Sequence, residues 1–324
     1  MNPITETTRT LRSRSRHAGR LLPGVMAAAL ALTGVAWGQS NFPAKRQGTL
    51  RFTYQDLNLG DQLFSEDVID PVLGNLGDKV DEGKTSIDAL VIGADYGISS
   101  RLAIAGSATY VRTSYNGPIP HGDYDDGDTH GTLQDASLTV LYKALPAPFS
   151  IVPFIGVVIP MRDYETRGLA AAGRGLSQTI LGVDFGWENA SFPLEIHVAY
   201  AYRFVEELDG VNTDRRNLGV RIGYQFNRHL GASLVGSYRS SPGGHDLITD
   251  SNEPNFMAVH DAAIALTETS ASAGLTWRIT PTIDLYGTYG STLSGENLQK
   301  TRSIAAGLAW HFGGNPTLGS DSSR

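Results

Sequence analysis

An aspartate, a histidine and an arginine occupy equivalent polar positions in three consecutive alternating segments of the sequence. Asp184 and His197 lie at similar distances from the short turn at 189–193, and Arg221 lies on the next segment at a similar height. If these segments are strands, the side chains come within reach of one another across them. Such a group could form a constriction whose charge depends on pH. Alternatively, the charges simply neutralise one another inside a closed structure.

Other charged residues share the same polar faces. Arg278 and Asp284 lie on either side of the turn at 280–282, and we expect a solvated ion pair worth less than about 1 kcal/mol. The remaining charged candidates for a lumen or constriction are Asp95, Lys143, Glu195, Arg203 and His311. If the polar face lines a channel, these side chains tune its selectivity.

An acidic run in the loop at 116–132 is a weak candidate for a metal site. Its carboxylates are of the type that hard cations prefer, and they are Asp123, Asp125, Asp126 and Asp128. The spacing does not match an EF-hand, which needs Gly at its sixth position and Glu at its twelfth. An ordinary solvated loop is the alternative, and no cofactor is predicted.

A second long loop, at 240–268, contains an apolar run. Phe256, Val259, Ala263 and Leu266 would share one face of a helix. Because an exposed apolar face needs cover, we predict a short plug or gate that folds into the mouth of the structure. The alternative is an upward extension of the following strand.

The segments that carry the charged residues alternate with a period of two, which is the period of a β-strand. In the segment at 303–312, every even position is apolar and every odd position is small or polar. The segment at 150–159 is apolar on both faces and is the weakest of the set. The pattern predicts twelve strands, near 49–55, 86–98, 102–115, 133–144, 150–159, 178–188, 194–204, 217–226, 230–239, 269–279, 283–291 and 303–312.

Two features favour a closed antiparallel transmembrane β-barrel over a soluble sandwich. Short connections alternate with long ones, as periplasmic turns alternate with outer loops in such barrels. Aromatic residues also recur on the apolar face near the short turns, as in an interfacial girdle. These girdle candidates are Tyr96, Tyr142, Trp187, Phe226, Trp277, Trp310 and Phe312. Termini on one side of the membrane require an even strand number, so ten and fourteen strands are the alternatives to twelve.

The N-terminus predicts export. Five arginines precede an apolar run, and small residues around Gly38 suit a signal peptidase. A membrane anchor is the alternative, but the run is shorter than the roughly 20 apolar residues of a spanning helix. The predicted segments are a signal peptide at 1–38, a short N-terminal segment at 39–48, the barrel at 49–312 and a flexible tail at 313–324.

Composition limits the partners. Removal of residues 1–38 takes away five Arg and one Glu, which changes the net charge from −7 to −11. This acidic balance argues against nucleic acid as a partner, and the lack of cysteine excludes disulfides. The expected partners are outer-membrane lipid and lipopolysaccharide, the barrel-assembly machinery and a small-molecule permeant. A divalent ion at the acidic loop would bridge to lipopolysaccharide phosphates.

The run Ile92–Ile104 is similar to part of a known family. With the segments at 133–145, 153–160 and 182–204, it resembles the outer-membrane transporters of the MetA-pathway-of-phenol-degradation family. The resemblance covers most of residues 85–312, and its motifs describe barrel strands more than chemistry. It implies a channel for small, aromatic or partly apolar molecules.

Three functional classes remain open at this point. A passive channel for uptake or efflux is favoured, because twelve strands lie between the filled eight-stranded barrel and the open porin. A non-conducting structural or adhesion barrel is the main alternative. A lipid-modifying enzyme is disfavoured, since the sequence has no Gly-x-Ser-x-Gly motif and the predicted strand histidines, His197 and His311, point inward.

Overall fold

The computed structural model describes residues 42–70, 74–118, 120, 122–146, 148–189, 192–252 and 256–313. The predicted signal peptide and the predicted tail beyond Gly313 lie outside this part of the chain. The elements in chain order are β1 (Gly48–Asp70), β2 (Gly74–Val80), β3 (Lys84–Gly97), β4 (Leu102–Asn116), β5 (His130–Tyr142), β6 (Phe149–Pro160), β7 (Gln178–Asn189), β8 (Phe192–Val205), β9 (Arg215–Gln225), β10 (Leu230–Ser240), α1 (Phe256–Val259), β11 (Thr267–Thr280), β12 (Ile283–Glu296) and β13 (Leu298–Phe312). Within the described residues, no helix is long and apolar enough to cross a membrane.

The strands close into one antiparallel barrel. From β3 to β13 each strand pairs with the next, β3 also pairs with β1, and β13 returns to pair with β1, where Gly48 lies opposite Phe312. β2 pairs only with the outer part of β1. Twelve strands therefore form the barrel, as the sequence predicts. Closure pairs both sides of every barrel strand, which a backbone surrounded by lipid requires.

The two faces of each strand follow the alternation in the sequence. On β1, Phe52 points outward and is 42% exposed, whereas its neighbour Thr53 points into the barrel. The predicted strand at 150–159 is confirmed as β6, because Val152 is buried inside while Ile155 remains outside. An apolar exterior around a more polar interior is the arrangement of an outer-membrane barrel.

The girdle candidates lie on the outer surface at the strand ends beside the short turns. Trp277 pairs with Leu230, the first residue of β10, and Trp310 pairs with Ile283, the first residue of β12. Both indole side chains are about half exposed. Their position suits the boundary between hydrocarbon and headgroups.

The first outer connection is more ordered than the sequence predicts. Between the predicted strands at 49–55 and 86–98 the sequence analysis leaves a long connection, but β1 continues to Asp70 and the chain returns as β2. The inner face of this hairpin carries Phe64 and Val68, which pack in one apolar cluster with Phe256 of a loop far along the chain. A local sequence pattern cannot reveal this extension, because the apolar residues that pack against it lie far away in the sequence.

The inward and outward assignments predict different responses to a charged side chain. Val220→Arg would place a guanidinium on the lipid face in the middle of β9 and should lower the free energy of unfolding by about 2–4 kcal/mol. Gly219→Arg is the matched control, because a Cβ at Gly219 meets open space on the lumen side. Urea unfolding in phospholipid vesicles measures both. An equal loss for the two variants would contradict the facing of the strand.

Candidate functional site

The predicted aspartate–histidine contact forms in the inner half of the lumen. His197 Nδ1 lies 2.8 Å from Asp184 Oδ1, and its Nε2 lies 3.4 Å from Glu188 Oε1. The ring fits between the two acids because its register partner is Gly186, where a Cβ would collide with it. His197 is therefore a buried side chain held by two carboxylates, of which the sequence predicted one.

Arg221 lies beside this group but pairs elsewhere. It is the register partner of His197, yet its Nη2 donates to Glu195 Oε1 at 2.9 Å. The structure thus places His197 against Asp184 and Glu188, and Arg221 against Glu195. Arg51 and Asp95 form a further ion pair in the inner half of the lumen. Opposite charges are matched locally here, which is the neutralising arrangement considered as the alternative.

Arg278 and Asp284 are register partners, as the turn spacing suggests. Arg278 Nε donates to Asp284 Oδ1 at 2.9 Å, and His311 Nε2 lies 3.0 Å from Asp284 Oδ2. The expectation of a fully solvated pair is wrong for the carboxylate, because Asp284 is only 6% exposed. His311 approaches it from the neighbouring strand β13, and only the register of the closed barrel brings that ring to it.

Lys143 lies at the inner mouth of the barrel. Its Nζ is 4.8 Å from the centre of the Phe42 ring, a cation–π contact with the N-terminal segment. The same segment is tied to the barrel because Arg46 N donates to Gly97 O at 2.7 Å. The segment thus lies against the short-turn end of the barrel.

The outer half of the lumen is occupied by residues 161–177, called the inner loop below. Its residues 169–172 are at most 2% exposed. A carboxylate from the acidic loop holds this segment: Asp125 Oδ1 accepts from Ala170 N at 2.7 Å, and Oδ2 accepts from Leu169 N at 3.0 Å. Charged acceptors make the stronger kind of hydrogen bond. Asp125 therefore anchors the inner loop inside the barrel.

The barrel wall also binds the inner loop. Side chains of β3, β4 and β5 donate to its backbone carbonyls, which would otherwise be buried without partners. These hydrogen bonds are Thr85 Oγ1 to Leu169 O at 3.1 Å, Thr113 Oγ1 to Ala170 O at 2.7 Å and Gln134 Nε2 to Ala172 O at 2.7 Å. Ala172 packs in addition against the apolar wall residues Leu57, Ile87 and Val111.

Tyr164 holds the two ends of the inner loop together. Its hydroxyl donates to Asp135 Oδ1 at 2.7 Å and accepts from Gly175 N at 3.1 Å. Burial, followed by the charge of Asp135, raises the pKa of Tyr164. The hydroxyl consequently stays protonated at neutral pH and remains a donor.

The described residues of the segment 241–266, namely 241–252 and 256–266, lie over the inner loop and are called the covering loop. Gly168 N donates to Asp261 Oδ2 at 2.7 Å, and Arg174 Nη2 donates to Ile264 O at 3.3 Å. Gly168 has a φ of +93°, and a Cβ at this position would also press on the Asp125 carboxylate. The two loops are therefore connected to each other in the outer part of the lumen.

The predicted plug residues belong to the covering loop, and all four are buried. Phe256, Val259, Ala263 and Leu266 are 0–5% exposed. The helix is shorter than expected, since α1 ends at Val259 and the chain then turns. The alternative of an upward strand extension is wrong, because β11 begins only at Thr267.

The acidic loop does not form the predicted metal site in the part of the chain that the structure describes. The Asp125 carboxylate accepts hydrogen bonds from the backbone of the inner loop. Asp126 Oδ1 lies 2.8 Å from His130 Nε2 and accepts a hydrogen bond from Asp128 N at 2.9 Å. No group of three or more His, Asp or Glu among the described residues is placed to hold a metal ion, and Asp123 is exposed. His130 begins β5, so it is a strand histidine that the sequence analysis placed in a loop.

Sequence analysis missed the inner loop and the burial of the arginines around it. The run at 168–173 is small and apolar within an outer loop, which is the same type of signal that identified the covering loop. Arg174, Arg215 and Arg239 give no such signal. Their sequence contexts are those of surface charges, and only barrel closure and loop folding bury them.

A closed twelve-stranded antiparallel barrel with an apolar exterior and a charged lumen has the fold of the outer-membrane β-barrel class. The structure is similar to the crystal structure of an outer membrane channel from Pseudomonas putida F1, with a TM-score of 0.65 and 12% identity over 86% of this chain and 100% of that chain. At this identity the likeness shows the fold.

Two porins are more distant. The NanC porin has a TM-score of 0.46 and 12% identity, over 81% of this chain and 98% of that chain. The KdgM porin has a TM-score of 0.44 and 10% identity, over 82% and 99% respectively. No protein-family model matches the chain, and no curated protein matches it significantly. The resemblance to the phenol-degradation family is therefore not confirmed.

The anchoring role of Asp125 predicts a change in protease sensitivity. Asp125→Ala should raise the open fraction of the inner loop at least about tenfold, because one hydrogen bond to a charged group is worth roughly 1.5–3 kcal/mol. Trypsin cleavage after Arg174, which is buried, should accelerate accordingly. Asp123→Ala is the control, since Asp123 is exposed in the same loop. Equal cleavage rates of the two variants would show that Asp125 does not anchor the inner loop.

Proposed function

We propose that this protein is an outer-membrane channel that carries small molecules passively and is closed on its outer side by the inner and covering loops. The observation that carries the proposal is the contrast between the two halves of the lumen. In the inner half, solvent reaches the charged wall, where the side chains of Arg51, Arg221 and Arg278 are 33%, 22% and 34% exposed. In the outer half, the loops fill the space.

The way the loops are held supports a gate. A barrel that is permanently filled can be packed by the side chains of its own wall, as small eight-stranded barrels are. Here the contacts to residues 169–172 include hydrogen bonds from Thr85, Thr113 and Gln134 and to the carboxylate of Asp125. Water can replace such partners when the loop leaves, so opening costs less than exposing an apolar plug of the same size.

The permeant that we propose is small and aromatic or partly apolar. This finer proposal rests on apolar side chains that point into the lumen, among them Phe154 with Val158, Ile180 and Ala201. Paired charges in the inner half would give weak ionic selectivity there, because Arg51, Arg221 and Arg278 each lie beside a carboxylate. The permeant would cross these two environments in sequence.

Location and partners follow from the proposal. The apolar outer surface would contact outer-membrane lipid and lipopolysaccharide, after signal-peptide removal and insertion by the barrel-assembly machinery. We do not propose a lipid-modifying enzyme, because His197 and His311 lie inside the lumen, away from the lipid that such an enzyme would act on. A non-conducting structural or adhesion barrel is the second candidate, and the buried loops in the outer half of the lumen are the observation that favours it.

Conductance in planar lipid bilayers tests the channel. The wild-type protein should show small and infrequent openings. Asp125→Ala should open more often, because three backbone donors lose their charged acceptor, namely those of Gly122, Leu169 and Ala170. Asp123→Ala should behave as the wild type.

Folding is checked first by the faster gel migration of the unheated protein. If correctly folded wild-type and Asp125→Ala proteins were both silent, the structural barrel would replace the channel. A large, permanently open wild-type conductance would contradict the gate but not the channel.

A further inference from the structure

Four arginines gather in the outer half of the lumen, at the outer ends of three strands and on the inner loop. Arg203 and Arg215 are register partners on β8 and β9, and both point inward. Arg239 lies at the end of β10, close enough to repel Arg203 and Arg174 electrostatically. All four are at most 7% exposed. Their guanidinium groups therefore share one buried space beneath the loops, called the arginine cluster below.

Arg174 and Arg215, two members of the arginine cluster, form no ion pair among the described residues, and part of each guanidinium has no acceptor. Nε and Nη2 of Arg215 and Nε and Nη1 of Arg174 are buried and have no hydrogen-bond partner among the described residues. Among the described residues, the Arg174 guanidinium donates a hydrogen bond to the backbone carbonyl of Ile264. Arg239, in contrast, forms an ion pair with Glu268. Arg174 and Arg215 are thus the members whose positive charge still needs a counter-ion.

Electrostatics makes this arrangement unfavourable unless an anion completes it. A buried charge is costly when it lacks a partner, and guanidinium groups keep their proton at neutral pH. Burial, followed by the charge of Arg239, lowers the pKa of Arg174 to about 9, which still leaves it protonated at pH 7. Forked arginine donors match the geometry of carboxylate and phosphate oxygens.

The wall beside the arginine cluster is apolar. Ile180 is the register partner of Arg203, and Ala201 lies two residues before it on the same face of β8. Both pack with Val158, and Phe154 lies against them. A ligand bound to the guanidinium groups would therefore extend its remaining atoms along a hydrophobic wall.

We propose that the arginine cluster is a binding site for a small organic anion, in which Arg174 and Arg215 bind a carboxylate and the wall around Phe154 and Ile180 receives its apolar part. This inference rests on the proposed channel and names the class of permeant. Because Arg174 belongs to the inner loop, the ligand reaches the site only when that loop moves. The bound carboxylate supplies the counter-charge that the wall and the loops leave missing.

Titration calorimetry of the folded barrel in detergent, with benzoate as the probe, tests this site. Benzoate should bind the wild type, whereas Arg215→Gln should weaken binding at least about tenfold, since a hydrogen bond to a charged group corresponds to a factor of this size or more. Arg216→Gln is the matched control, because Arg216 is the next residue of β9 and its side chain is exposed on the other face. It should bind as the wild type does.

Two further probes separate charge from shape. Benzyl alcohol has the ring without the charge and should bind much more weakly than benzoate. Inorganic phosphate has the charge without the ring and should also bind more weakly. Equal binding of benzyl alcohol would overturn the role of the arginines, and equal binding of phosphate would overturn the organic part of the assignment. Benzoate binding that is absent, or unchanged in Arg215→Gln, would overturn the site.

Thermal unfolding distinguishes loss of the binding site from loss of the fold in Arg215→Gln. Benzoate should raise the unfolding temperature of the wild type and of Arg216→Gln but not of Arg215→Gln, because only a ligand that binds the folded state stabilises it. Without benzoate, Arg215→Gln should be at least as stable as the wild type, since it removes a buried charge without a partner. A purely structural arginine would give the opposite result, a variant that is destabilised with or without benzoate.

The outcomes for the channel and for the anion site are independent. Calorimetry needs no conductance, so a barrel that is silent in bilayers but binds benzoate would overturn the channel and leave the site in place. A conducting barrel without benzoate binding would overturn the site and leave the channel.

Discussion

The structure depends on one constraint, which is that backbone hydrogen bonds facing lipid must be made within the protein. A sheet meets this constraint only when its first and last strands pair, as β1 and β13 do. Closure then fixes the rest of the arrangement. Side chains alternate between lipid and lumen, the short turns meet at one end, and the long loops meet at the other. The strand side chains discussed above owe their positions to that register.

Closure also creates an interior that twelve strands cannot fill with wall side chains alone. The chain treats the two halves of this space differently. In the inner half, acids and bases pair across neighbouring strands, as Glu195 does with Arg221. In the outer half, the inner loop enters the lumen and brings its own backbone N–H groups. Asp125 of the acidic loop and Asp261 of the covering loop accept hydrogen bonds from them. The same physical requirement, a partner for each buried polar group, explains both halves.

The arginine cluster departs from this rule and is informative for that reason. Buried donors in native structures nearly always have acceptors, so the buried donors of Arg174 and Arg215 mark a place where the described chain is incomplete by itself. An organic carboxylate would complete it. The loops that cover the cluster are the elements that must move for exchange, so ligand binding and opening of the outer mouth would involve the same residues.

The sequence by itself determined the barrel, its twelve strands and the alternation of side chains between lumen and lipid within the predicted strands, because a period of two is a local property that does not depend on the partner strands. The apolar spacing around Phe256 also indicated that one face of the covering loop must be buried against the rest of the protein. Tertiary structure alone decided which charges meet. Register placed His311 against Asp284 and Glu188 against His197, and long-range folding carried Arg174 into the lumen. These contacts join residues whose separation in sequence carries no periodic signal, since they arise only when the sheet closes and its loops fold inside.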